Sequence, residues 1–242
     1  MAIFSAAIFS AGCGERTNGP SEQITLPPAE PTSPNRSMRE TGQMTPEQVQ
    51  NFWLSHLVDE YNLIQTGEYP THGVQRLYTR ASEQIREKYG TDPQVTVYAS
   101  YNPLSRLVIA GTSVNRENVP SIGFSTPTIV DIYNQLVLDG DPYAHEKIQN
   151  TVLIAIMHER DHLSSGYVLS PDNTDTGFEA RIYREKHTWA ITCQNTIEIL
   201  VRNNEPIEES DMLRYRAWIQ AGRNVDSPIW DEAIRNIHNP IR

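Results

Sequence analysis

The sequence predicts one α+β domain, predominantly helical, over residues 45–242. Three observations lead there: two amphipathic helical patterns precede a group of short β-rich segments, only helical patterns follow them, and no internal repeat divides the chain. Thr45-Pro46-Glu47-Gln48 opens the domain as an N-cap, an N1 proline and a capping-box glutamine. Phe52, Leu54, Leu57, Val58, Tyr61 and Ile64 recur at helical spacing up to Gly67. Val74, Leu77, Tyr78, Ala81, Ile85 and Tyr89 do the same before Gly90. QVTVYAS (94–100), RLVIAGTSV (106–114) and SIGFS (121–125) are short, rich in Val, Ile and aromatics, and separated by Asn, Pro and Gly, which predicts a small sheet. TPTIVDIYNQLVL (126–138) reads as a helix ended by Gly140, and YAHEKIQNTVLIAIMHERDHLSS (143–165) as another ended by Gly166. After the loop SPDNTDTG (170–177), the stretches 178–204, 208–222 and 229–237 all carry helical patterns.

Composition narrows the function. With 242 residues, 38% of them hydrophobic, the chain can bury a real core. Its net charge is −10 and it has no Lys/Arg-rich run, so a surface that attracts phosphate backbones is not expected and nucleic acid is a poor partner. No apolar run approaches the ~20 residues of a bilayer-spanning helix.

The N-terminus, MAIFSAAIFSAGCGERTNG, runs apolar to Ala11-Gly12-Cys13 and then turns polar, as a processing segment does. It resembles the lipobox of bacterial lipoproteins, with Ser10 where an aliphatic residue is usual and no Lys or Arg ahead of the apolar run. The resemblance implies a lipid on Cys13 and a place in the bacterial cell envelope, outside the cytoplasm. Residues 1–13 are then the signal-like segment. Residues 14–44, rich in Pro, Ser, Thr and charge, have the composition of a disordered tether. The one other cysteine, Cys193, has no intramolecular partner once Cys13 carries lipid and is expected to be a small buried hydrophobe.

His158-Glu159-Arg160-Asp161-His162 fits H-E-x-x-H at the end of the strongly apolar run Val152–Met157. Four residues apart on a helix, the two imidazoles lie one above the other and can converge on one ion. Glu159 sits about 100° round the helix from His158, placed to touch a water beside the metal rather than to ligate. Zinc favours such nitrogens and in catalytic sites takes three protein ligands and a water, whose pKa it lowers to about 7. Glu159 can then act as general base and acid in amide hydrolysis. Composition alone produces this pattern on the order of once in a hundred such chains, so chance is the competing reading.

A third ligand is required. The extended metzincin pattern fails, because Ser165 and Val168 stand where it needs Gly and His. Asp175 in the 170–177 loop is one candidate; Glu179, Glu185 and His187 on the next helix are the others. Here the chain resembles the gluzincin metallopeptidases over about residues 150–190, whose third ligand lies one helix downstream in an E-x-x-x-D or similar motif. Glu179 matches that motif in spacing, with Tyr183 in place of the aspartate. The resemblance therefore implies a zincin-like domain in which His158, His162 and Glu179 hold Zn2+ and a protein or peptide is the substrate. The bland role for Glu179 is to stabilise the helix dipole.

Tyr167, Tyr183 and His187 are candidates for steadying an oxyanion, against ordinary helix roles. Arg160 and Asp161 are expected to be a solvent-facing pair, with orientation of a ligand as the alternative. His145 reads as a surface histidine, and His56, His72 and His238 give no signal. Trp53, Trp189, Trp218 and Trp230 fall at core spacing. One of the strands 106–114 or 121–125 is expected to offer an edge on which an extended peptide pairs. The competing function is a zincin-like lipoprotein that binds or scaffolds without turnover.

Overall fold

The computed structural model describes residues 72–98, 109–168 and 177–238. The segment 1–71, and with it Cys13, the 14–44 stretch and the first expected helix, lies outside the described residues, as do 99–108 and Asp175.

The described chain is α+β and predominantly helical. Its elements run α1 (His72–Tyr89), β1 (Gln94–Tyr98), β2 (Ala110–Val114), β3 (Pro120–Ser125), α2 (Thr126–Leu138) and α3 (Ala144–Ser165). They continue with α4 (Phe178–Thr192), a π-helical turn (Cys193–Ile197), α5 (Glu198–Arg202), α6 (Glu209–Gln220) and α7 (Pro228–His238). Gly140 and Gly166 end α2 and α3 with φ of 71° and 84°, a conformation open to glycine at no steric cost.

The three strands pair in the order β1-β3-β2, with β1 parallel and β2 antiparallel to β3. β3 is therefore central, and of the two strands named as possible peptide edges only β2 ends the described sheet. Alternation along β2 and β3 buries Ala110, Thr112 and Val114 on one strand and Ile122 and Phe124 on the other. β2 packs directly against α3.

α3 is the central helix, in contact with α1, α2, α4 and β2. Covered from so many directions, it has no polar face in its second half: every residue from Asn150 to Leu163 is buried. Val152–Met157 meets that demand with side chains that need no partners. His158–His162 does not, and its polar atoms must find partners inside the protein. Trp189, Trp218 and Trp230 are buried in the core as their spacing predicts, and so is Cys193, which is a free thiol.

Candidate metal centre

The last two turns of α3 bring His158 and His162 to one point, and α4 crosses there with Glu185. The Nε2 atoms of the two histidines lie 3.1 Å apart. Glu185 approaches them with Oε2 at 3.3 Å from His158 Nε2 and Oε1 at 3.6 Å from His162 Nε2. All three side chains are buried. Around a tetrahedral ion with bonds of about 2.0–2.1 Å, neighbouring donor atoms stand about 3.3–3.4 Å apart. The three separations bracket that value, so the group can hold a metal ion.

The outer edges of the imidazoles point away from this centre. His162 Nδ1 lies 2.7 Å from the Tyr167 carbonyl, which can only accept, so Nδ1 carries the proton and the Nε2 lone pair of the neutral ring faces inward. His158 Nδ1 lies 3.3 Å from the Thr192 hydroxyl, and the His158 ring stacks on Trp189 at 4.1 Å with 27° between planes.

Electrostatics fit a cation site. Burial pushes His158 down to about 3, helped by the charges of His162 and Arg214 and opposed by Glu185. Burial acts in the same direction on His162, but Glu185 and Glu159 outweigh it and raise His162 to about 9. A dry pocket with this much carboxylate takes up positive charge, and a proton on His162 is the smallest cation that supplies it.

Glu159 is fully buried, and burial, reinforced by Glu185, pushes it up to about 8. Neither of its carboxylate oxygens accepts a hydrogen bond of ordinary geometry; the buried Thr112 hydroxyl on β2 is the polar side chain that faces it. A buried carboxylate in that condition is costly and calls for a function.

Glu179, the expected third ligand, is not beside the histidines. Glu179 lies on the exposed first turn of α4, where its two oxygens pair with the Arg235 guanidinium of α7, and that hydrogen bond holds its carboxyl below the usual range. Glu185, not Glu179, stands with the two histidines in the group that could hold an ion. Six residues further along α4 is about 600°, or 240° round the axis, which turns Glu185 to the face that packs on α3.

Arg160 and Asp161 are also corrected: both are buried, not solvent-facing. Arg160 donates to Ser82 and lies 4.0 Å over the Tyr78 ring, while Asp161 accepts from Thr192 at 2.9 Å. Tyr167, Tyr183 and His187 form a ring cluster beside the centre, with His187 4.2 Å from Tyr183 and 5.0 Å from Tyr167, and Tyr183 is half exposed. His145 is half-buried.

No family model, curated protein or solved structure matches this chain. The site therefore stands on its own geometry.

Proposed function

We propose that the protein is a zinc-dependent hydrolase of peptide bonds, with His158, His162 and Glu185 holding the ion and Glu159 moving the proton. The observation that carries this reading is the pairing of a three-donor cluster with a buried, poorly satisfied carboxylate one residue from the first histidine. Zinc bound there supplies a Lewis acid that polarises a carbonyl and lowers the pKa of a ligated water to about 7. Three protein donors leave a fourth position for that water, which separates the set from closed four-ligand structural sites. In its ionised form, which the charge of a bound zinc would favour against the burial that raises it to about 8, Glu159 would accept a proton from that water and return it to the leaving amine. Thr112 puts β2 beside Glu159, so an extended peptide hydrogen-bonded to that terminal strand would lie along the site.

A second reading has one observation in its favour. Both histidines, Glu185 and Glu159 are sealed from solvent, as suits a protein that holds a metal or a partner without turnover. Hydrolysis needs a path that opens to the centre.

The full-length protein separates the two. Under the first reading it contains about one zinc per chain, and Glu159→Gln keeps the zinc but abolishes cleavage of a denatured protein substrate. Unchanged cleavage by that variant would place the chemistry elsewhere; a zinc-loaded wild type that cleaves nothing would favour the second reading. Among the described residues no helix is long and apolar enough to cross a membrane. The envelope reading comes from the Cys13 motif, and Cys13→Ser is expected to leave the membrane fraction.

A further inference from the structure

On α4 the residues Glu185, Thr188 and Thr192 are spaced three and four apart, so they form one stripe along the face that meets α3. All three are fully buried. The first is a proposed metal ligand; the two threonines touch the outer nitrogens of the two histidines, one each. We propose that Thr188 and Thr192 are positioning residues that lock both imidazoles with the proton on Nδ1, so that both Nε2 lone pairs stay on the metal position. The inference rests on the metal-site reading above.

Hydroxyl chemistry supplies the argument. A threonine has one proton to give and two lone pairs to offer. The Thr188 hydroxyl lies 3.0 Å from the Arg184 carbonyl, one turn back. A carbonyl only accepts, so the proton goes there. What Thr188 turns to His162 Nδ1, 3.0 Å away, is a lone pair, and Nδ1 must be the donor. The Tyr167 carbonyl at 2.7 Å makes the same demand on the same nitrogen.

Thr192 repeats the arrangement on the His158 side. Its proton is contested by two acceptors, the Asp161 carboxylate at 2.9 Å and the Thr188 carbonyl at 3.0 Å. Whichever takes it, the oxygen presents a lone pair to His158 Nδ1 at 3.3 Å. Asp161 thus anchors a chain that runs from its carboxylate through the Thr192 hydroxyl to the imidazole, which accounts for its burial between α3 and α4. The stack on Trp189 holds the plane of the His158 ring, and the Thr192 hydroxyl then decides which nitrogen lies on which side.

The opposite tautomer would be penalised twice. It would set an Nδ1 lone pair against a hydroxyl lone pair, and place an Nε2 proton where the ion binds. Partners of metal-ligating histidines that fix ring and tautomer in this way change metal affinity by about 10–100-fold when removed.

The experiment uses the full-length protein and Zn2+ itself. Thr192→Val and Thr188→Val keep the side-chain shape and delete the hydroxyl; Thr192→Ser restores it. Affinity is read by competition with a chelator, and the His158 tautomer by long-range proton–nitrogen NMR of the metal-free protein. Thr192→Val is expected to bind Zn2+ about 10–100-fold more weakly and to lose the His158 Nδ1–H signature, with Thr192→Ser close to wild type; Thr188→Val is expected to lose less, because the Tyr167 carbonyl still holds His162 Nδ1. Should Thr192→Val fail to fold, Thr192→Ala, which also deletes the hydroxyl, carries the same test at His158. Valine variants that bind as tightly as wild type would overturn this inference while leaving the metal site intact. A wild type that binds no Zn2+ would overturn the metal reading itself.

Discussion

The first turn of α4 and the turn that follows it carry one glutamate each, and the two live in opposite settings. Glu179 reaches into solvent and finds the fixed positive charge of Arg235. Glu185 points into the core and finds two imidazole nitrogens that, in the neutral rings, have lone pairs to offer. The same side chain is a surface ion pair in one place and a metal-ligand candidate in the other. What separates them is the helix face, and the company a buried carboxylate keeps: Glu179 has its neutralising cation in the protein, whereas Glu185 sits among groups that could share one from outside.

The largest effect expected from this contrast is at Glu185. Glu185→Gln removes the negative donor and is expected to weaken zinc binding by more than about a hundredfold, beyond what outer partners contribute. Chelator competition measures it, and a variant that keeps wild-type affinity would erase the distinction between the two turns. An intermediate effect comes from pH. In the metal-free site His162 holds its proton up to about pH 9 because Glu185 and Glu159 outweigh burial, and zinc must displace that proton. Affinity is therefore expected to rise about tenfold per pH unit as that proton comes off, and to level once pH passes about 9. Isothermal titration in buffers of different ionisation enthalpy would show the proton released, and a flat profile would show that His162 is not in the site. The smallest effect is at Glu179. Glu179→Gln breaks an exposed pair with Arg235, so zinc content is expected to stay unchanged and the Tm to move marginally.

Much of the fold was legible because its signals are local. α2, β3 and the end of α3 fall where Thr126-Pro127, the SIGFS run and Gly166 put them, since caps, turns and alternation act over a few residues. The convergence of His158 and His162 was legible for the same reason, being a property of one helical turn. The π-helical turn at Cys193–Ile197 was not: an i→i+5 bond has no residue signature, and the 178–204 pattern reads as continuous helix.

The third ligand shows where local reading stops. Motif spacing favours Glu179, but the choice between it and Glu185 depends on which face of α4 meets α3, a tertiary fact. One signal was present in the sequence. Downstream of Glu185 its stripe carries Thr188, Trp189 and Thr192 and no charge, as suits a face turned inward, whereas Glu179 stands at the open helix start. The burial of Arg160 and Asp161 is hidden from the sequence for a related reason: charged residues are seldom fully buried, and only the crowding of α3 on several sides overrides that rule here.

The central claim is that one turn of α3 and the second turn of α4 hold a single ion between them. Crystals of the zinc-loaded protein, measured on both sides of the zinc absorption edge, test it most directly. One anomalous peak is expected about 2.0–2.2 Å from His158 Nε2, His162 Nε2 and a Glu185 oxygen. A peak coordinated by Glu179, or zinc-loaded crystals with no peak between the two histidines, would contradict it.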